Sequence, residues 1–144
     1  MRREYGAVCL LSFLGRVEKR QFADVMICHR DKKIHMTALL DTGNMLKDPV
    51  TGLPVVVVDC RAARVLLDLN ESELRDPIGT ISRGKFAGIR LIPYHVLGHP
   101  SGMLLGIKAD DVKINGQSVR QIIAFAPHRI APGSEYEALI GGNV

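Results

Sequence analysis

A single acidic residue, Asp41, follows an apolar run and precedes a sharp turn signal. Residues 38–40 are aliphatic, and Thr42 and Gly43 come directly after the acid. These residue types suit a strand that buries its side chains and then turns, which would bring the Asp41 carboxyl to a cleft. A carboxyl group held there can serve as a general acid or base. The alternative is an ordinary turn, in which Asp41 bonds to the backbone two residues on.

The residues around this acid extend the pattern well beyond three positions. Residues 40–44 read Leu-Asp-Thr-Gly-Asn, Asp48 and Pro49 form a second turn signal, and Pro54 leads into four valines at residues 55–58. The Asp-Thr-Gly element resembles the catalytic loop of pepsin-like and retroviral aspartic proteases. The extended pattern is similar to the protease domain of the membrane-associated peptidases that process the precursor of sporulation sigma factor E, the stage II sporulation protein GA family.

The resemblance implies a separate role for each residue of the Asp-Thr-Gly element. Asp41 would be catalytic, as one of two facing carboxyl groups that share a proton and activate a water molecule. Thr42 and Gly43 would support the catalytic loop. The Thr42 hydroxyl would hydrogen-bond between paired loops, and the absence of a side chain at Gly43 would allow close approach. This mechanism calls for no cofactor and no metal.

The chain carries one Asp-Thr-Gly element in 144 residues. A two-lobed enzyme with both acids on one chain would need about twice this length. The resemblance therefore implies a two-fold symmetric homodimer, with one Asp41 from each copy. The expected fold is mainly β, a retropepsin-like closed β-barrel with one or two short helices, formed by residues 21–144. Residues 1–20 are expected to be a juxtamembrane segment or an N-terminal extension.

A second apolar segment, near the end of the sequence, would support the catalytic loop. Leu139, Ile140 and Gly141 resemble the hydrophobic-hydrophobic-Gly element that lies beside the catalytic loop in aspartic proteases. A glycine there would let the backbone pass close behind Asp41. The alternative is that the Gly-Gly pair at residues 141–142 belongs to a frayed tail.

Residues 78–92 consist of two strand-like halves with glycines between them. This composition predicts a hairpin with a pliable tip, similar to the flap that closes over substrate in retroviral-type proteases. An ordinary surface hairpin is the alternative. The charges of Arg83 and Lys85 hint at contact with an acidic partner. The residues expected to bind substrate are those of the tip: Arg83, Gly84, Lys85, Phe86, Ala87 and Gly88.

Periodicity and turn residues predict the remaining elements. A hairpin over residues 23–40 would lead into the catalytic loop, and residues 60–69 have helical spacing, with Asp59 as the N-cap. The pair Asn115-Gly116 predicts a tight hairpin turn. The other expectations are a turn over residues 48–54, strands over 54–59, 103–108 and 122–126, and loops over 70–77 and 93–102.

The family resemblance also implies a substrate and a location. The substrate would be the N-terminal pro-segment of the sigma-E precursor, and activity would depend on a signalling protein from the neighbouring compartment. The family carries an N-terminal membrane region, and no stretch here approaches the roughly 20 apolar residues that a membrane helix needs. The full-length protein would therefore be membrane-associated at the spore septum, with this domain facing the cytoplasm.

The charge pattern does not indicate binding to nucleic acid. The formal net charge is +4 and the pI is about 9.1, but the basic residues are spread along the chain and tryptophan is absent. The three cysteines, Cys9, Cys28 and Cys60, form no paired framework, which favours a reducing compartment.

Two other classes of function stay open. A cysteine hydrolase would use Cys28 or Cys60 with one of the five histidines, although neither cysteine lies in a recognisable nucleophile context. A non-catalytic retropepsin-like module would bind a peptide in its cleft or serve only to dimerise. No zinc site is expected at His95 and His99, because the prolines and glycines around them argue against the helix that their spacing would require.

Overall fold

The computed structural model describes residues 20–41, 43, 46–84, 87–95, 101–133 and 135–141. Nine strands and three short helices lie within these residues. The strands are β1 (Phe22–His29), β2 (Lys32–Asp41), β3 (Val55–Val58), β4 (Ile89–Tyr94), β5 (Gly102–Ile107), β6 (Asp111–Ile114), β7 (Gln117–Ser118), β8 (Ile122–Phe125) and β9 (Ala138–Gly141). The helices are α1 (Cys60–Leu67), α2 (Glu71–Arg75) and α3 (Pro77–Ser82).

All nine strands form one sheet, in the order β4-β5-β8-β3-β9-β2-β1-β6-β7. The prediction of a mainly β fold is confirmed. Within the described part of the chain, no pairing joins β4 to β7, so closure of the sheet into a barrel stays a prediction, as does the homodimer. The three helices exceed the one or two that were expected.

The centre of the sheet positions the predicted site. Strand β9 lies between β2 and β3, parallel to β2 and antiparallel to β3. The connection from β2 to β3 therefore has to cross the end of β9. Strand β8 is in turn parallel to β3. Strands β2 and β9 therefore end, and strands β3 and β8 begin, on the same side of the sheet.

Both faces of this central region are covered. Val56 and Val58 belong to one buried cluster and Val55 and Val57 to another, so the alternating side chains of β3 reach apolar surroundings on either side. Each buried valine contributes about 2 kcal/mol relative to an exposed one. The run of four valines is confirmed as a strand buried on both faces.

Helix α1 covers the first of these faces through its buried residues Ala62, Ala63 and Leu66. The side chain of Asp59 accepts a hydrogen bond from the Arg61 backbone N–H at 3.0 Å, which confirms it as the N-cap. The helix ends at Leu67, two residues before the expected end, because Asp68 adopts a left-handed conformation.

Two expectations between residues 70 and 92 are wrong. Residues 71–75 and 77–82 are helical, whereas a loop and the first half of a hairpin were predicted there. The local signals explain both helices. Asn70 and Glu73 form a capping box, and Asp76 caps α3, which has Pro77 in its first turn. These caps outweigh the β-branched residues within α3.

The remaining strand predictions hold. The hairpin of β1 and β2, the turn bridged by Lys47 and Pro54, and the strands β5 and β8 are confirmed. Asn115 and Gly116 both have positive φ, as the predicted tight turn requires. Pro93 and Tyr94 belong to β4 rather than to a loop. No helix in the part of the chain described above is long and apolar enough to span a membrane.

Candidate active site

Asp41 is the last residue of β2, and its register partner is Gly141, the last residue of β9. The preceding residues Ala38 and Leu39 are buried, so they anchor β2 in the sheet up to the acid. Asp41 itself keeps 7% of its surface exposed. Its carboxyl group is therefore held at the end of a central strand and is largely shielded from solvent.

The electrostatics of Asp41 are those of a shielded acid. Burial raises the pKa of this carboxyl above its ordinary value of 3.8, and a hydrogen bond from the Gly43 N–H opposes the shift without cancelling it. The bond joins the Gly43 nitrogen to Asp41 Oδ1 at 3.0 Å. An ordinary turn would contain the same bond. The raised pKa is the further property that an acid–base role requires.

The predicted supporting segment lies directly beside this acid. Leu139 and Ile140 are buried in β9, opposite Leu39 and Leu40 of β2. The expectation that this segment lies next to the catalytic loop is confirmed, and the frayed-tail alternative is wrong for Gly141, which is buried in the strand. The support that these residues would give to catalysis stays a prediction.

The other predicted site residues are placed less completely. Gly43 is exposed in a turn, while Thr42, Lys85 and Phe86 lie outside the described residues. The exposed residues Arg83, Gly84, Ala87 and Gly88 belong to the connection between α3 and β4, not to a hairpin tip.

Gly84 and Gly88 both have positive φ, and a side chain at either would meet open space. Glycine is therefore favoured there by backbone conformation and not by crowding. The role of this connection in binding substrate stays a prediction.

A second acid near the site, Asp48, was not singled out from the sequence as functional. It lies in the turn between β2 and β3, is 1% exposed, and accepts a hydrogen bond from Arg90 Nη1 to its Oδ2 at 2.7 Å. The hydroxyl and N–H of Thr51 bond to the same oxygen, at 2.7 and 3.1 Å. A turn signal at Asp48 was visible in the sequence. No local signal could have revealed Arg90, which is 42 residues away.

The pKa of Asp48 is shifted in the opposite direction to that of Asp41. Burial would raise it, but the hydrogen bonds from Thr51 and the charge of Arg90 outweigh burial and hold the pKa below 3.8. Asp48 therefore carries a fixed negative charge at neutral pH, balanced by Arg90.

Two of the groups considered for a cysteine or metal enzyme, Cys60 and His95, lie within the described part of the chain. Cys60 is buried, and burial together with the neighbouring Glu71 carboxylate raises its thiol pKa to about 11. Such a thiol is almost fully protonated at neutral pH and is a poor nucleophile. His95 contacts the Ser101 hydroxyl at 3.0 Å. The described residues contain no group of three or more side chains able to hold a metal ion.

A shielded carboxyl with a raised pKa, at the end of β2 and beside the end of β9, has properties that an acid–base role requires. The chain belongs to the family described as sporulation factor SpoIIGA, a peptidase family whose model matches residues 13–144. The resemblance based on residues 40–58 is therefore confirmed.

The relatives of this chain carry consistent names. It is 25% identical over 131 residues to the sporulation sigma-E factor-processing peptidase of Priestia megaterium, covering 83% of this chain and 43% of that protein. It is 30% identical over 121 residues to a probable sporulation sigma-E factor-processing peptidase of Clostridium acetobutylicum, covering 81% and 40%.

A putative sporulation sigma factor-processing peptidase of Bacillus thuringiensis subsp. kurstaki is 26% identical over 136 residues, with 87% of this chain and 84% of that protein covered. The chain thus matches about two fifths of the length of the first two relatives. No solved structure matches it significantly.

Proposed function

We propose that this chain is the protease domain of an aspartic endopeptidase that cleaves the N-terminal pro-segment of a sporulation sigma factor precursor, pro-sigma-E. The observation that carries the proposal is Asp41, a shielded carboxyl of raised pKa at the end of β2, within the Asp-Thr-Gly element of a peptidase family. The names of the relatives, which refer to sigma-E factor processing, support the choice of substrate.

The mechanism requires two acids, and each chain supplies one. In a two-fold homodimer, two Asp41 carboxyl groups would face each other and hold one proton between them, because two adjacent negative charges are costly. The ionised carboxylate takes a proton from a water molecule, which attacks the scissile carbonyl carbon. The protonated carboxyl gives its proton to the carbonyl oxygen, and the roles reverse as the C–N bond breaks.

The surroundings of Asp41 suit this chemistry. Burial already raises the pKa of Asp41, and the charge of a facing carboxylate would shift it further in the same direction. Leu139, Ile140 and Gly141 would fix the position of the acid through β9, with Thr42 and Gly43 shaping the loop. The connection of residues 83–88 would bind the substrate.

The family resemblance supports two further parts of the proposal. The full-length protein would be associated with the spore septum membrane, with this domain facing the cytoplasm, and a signalling protein would activate it. Fractionation of sporulating cells, followed by protease protection of the domain, tests the location. Degradation of the domain by protease added outside intact cells would contradict it.

The decisive experiment replaces Asp41 with Asn and measures cleavage of a co-expressed sigma factor precursor. Asp41→Asn is expected to abolish cleavage, because Asn can neither accept the proton from water nor donate one to the carbonyl oxygen. The matched control is Asp31→Asn, which makes the same chemical change at an exposed turn position. Cleavage by the control should equal that of the wild-type chain.

Each rival function predicts a different result. A cysteine hydrolase would survive Asp41→Asn and would be stopped by thiol alkylation. A non-catalytic module would leave the precursor uncut even with the wild-type chain, while still binding the precursor or forming a dimer. Persistent cleavage by the Asn variant would therefore contradict the aspartic mechanism.

A further inference from the structure

The turn that follows the Asp-Thr-Gly element is built around the buried carboxylate of Asp48. Besides its three side-chain bonds, its backbone N–H donates to the Leu53 carbonyl at 2.9 Å, and its carbonyl accepts from the Gly52 N–H at 2.8 Å. Both backbone groups of Asp48 thus bond to residues at the far end of the turn. Directly after it, the bridge between Lys47 and Pro54 leads into β3.

The partner of Asp48 across the fold is Arg90, the second residue of β4. Strand β4 is an edge strand of the sheet, three strands away from β3, so no backbone pairing connects it to the turn. Leu46 and Leu53, at either end of the turn, pack against the cluster that contains Ile92 of β4. The ion pair of 2.7 Å therefore adds a charged link to an apolar contact between the same two segments.

The position of Arg90 relates this ion pair to the residues proposed to bind substrate. Arg90 comes two residues after Gly88, the last residue of the connection between α3 and β4. On the other side, the turn around Asp48 begins only a few residues after Asp41. The ion pair thus joins the start of β4 to the turn that follows the proposed catalytic acid.

We infer that Asp48 and Arg90 are positioning residues, whose ion pair fixes the start of β4, and with it Ala87 and Gly88 of the proposed substrate-binding connection, relative to the turn that follows Asp41. The inference depends on the proposed function, because it assigns the connection its role in binding substrate. Neither residue touches the reacting atoms. The pair acts by holding the start of β4 at a fixed position relative to the turn that follows Asp41.

The charge balance within the turn makes Arg90 hard to replace. Three donors converge on Asp48 Oδ2, and Oδ1 is buried without a hydrogen-bond partner among the described residues. Arg90 supplies the positive charge that balances this carboxylate. Its side chain is 27% exposed, so substitution there disturbs the core less than substitution of Asp48 would.

The test without catalysis is hydrogen exchange followed by mass spectrometry on the chain and its Arg90→Gln variant. In the variant, a peptide covering residues 83–92 should exchange about tenfold to a hundredfold faster, the loss expected when a hydrogen bond to a charged group is removed. Peptides from β1, β2 and β8 should be accelerated less, because only those of their amides that exchange through global unfolding share the loss of stability. The matched control, Arg64→Gln, removes an exposed ion pair to Asp68 and should change nothing in residues 83–92.

Unchanged exchange in residues 83–92 would overturn the inference, whether or not the chain cleaves the precursor. Equal acceleration in every peptide would also overturn it, because it would mean that the pair contributes only to global stability. Arg90→Lys keeps the charge but loses the planar guanidinium group, so its exchange rate should fall between those of the wild type and Arg90→Gln.

The test with catalysis measures KM and kcat for a purified sigma factor precursor. Arg90→Gln should raise KM about tenfold, the order expected when one charged interaction no longer organises a binding segment. A variant that merely unfolds part of the population lowers the apparent kcat and leaves KM unchanged. An unchanged KM would overturn the positioning role, whereas survival of cleavage in Asp41→Asn would overturn the proposed function and leave the exchange result standing.

Discussion

Asp41 and Asp48 are both buried and only seven residues apart, yet the pKa values of their carboxyl groups are shifted in opposite directions. Burial dominates at Asp41, where one backbone N–H is the opposing influence and the pKa is raised. At Asp48 the two Thr51 bonds and the Arg90 charge outweigh burial, and the pKa is lowered. Burial alone therefore does not decide the protonation state of an acid in this fold.

The difference separates two tasks that acids perform in proteins. A carboxyl that is hard to ionise can exchange protons with a substrate, and Asp41 has no cation partner among the residues that the structure describes. A carboxyl that is always ionised can fix distant segments through a cation. The proposed function assigns the first task to Asp41, at the end of β2, and the ion pair with Arg90 assigns the second to Asp48, in the turn that follows.

The largest effect should follow from removing the cation of the second acid. Arg90→Ala would leave Asp48 buried without a balancing charge and should lower the free energy of unfolding by about 2–3 kcal/mol, somewhat less than for a fully buried pair because Arg90 is partly exposed. Urea unfolding followed by circular dichroism measures this. Arg64→Ala, which breaks an exposed pair, should cost less than about 0.5 kcal/mol.

A loss of similar size in both variants would contradict the special status of the buried pair. It would mean that the pair of Asp48 and Arg90 contributes no more to stability than an exposed pair does, and the contrast with Asp41 would lose its physical cause.

A smaller effect of opposite sign is expected at the first acid. Asp41→Asn should raise the free energy of unfolding at pH 7 by about 1.4 kcal/mol for each unit by which the folded-state pKa is raised. The folded-state pKa of Asp41 exceeds its unfolded-state pKa. Ionisation of Asp41 therefore destabilises the fold as the pH rises from the unfolded-state pKa to the folded-state pKa. The gain should shrink as the pH falls below the ordinary value of 3.8, because Asp41 then becomes protonated in both states.

Urea unfolding of the wild type and Asp41→Asn at pH 3.5 and pH 7 measures this difference. A variant that is less stable than the wild type at pH 7 would mean that the ionised carboxylate stabilises the fold. Asp41 would then be a structural acid like Asp48.

Much of the core of this fold was predictable because its signals are local. The apolar run that ends at Asp41, the four valines of β3 and the Asn115-Gly116 turn each specify their conformation within a few residues. The pairing of Gly141 with Asp41 was predictable only through the family resemblance, since 100 residues separate the two along the sequence.

The missed features have two physical causes. The predicted hairpin failed because Asp76 and Pro77 start a helix, and these capping signals outweighed the β-branched residues that follow. The pair of Asp48 and Arg90 was missed because an ion pair between distant segments depends on tertiary packing. No periodicity or turn signal in either segment names the other.

The most direct test of the contrast between the two acids is a titration of the side-chain carboxyl carbons by NMR, with Asp41→Asn and Asp48→Asn used to assign the signals. Asp41 is expected to titrate above 3.8 and Asp48 below it. An Asp41 carboxyl that titrates at or below 3.8 would contradict its assignment as the acid that is poised to exchange protons.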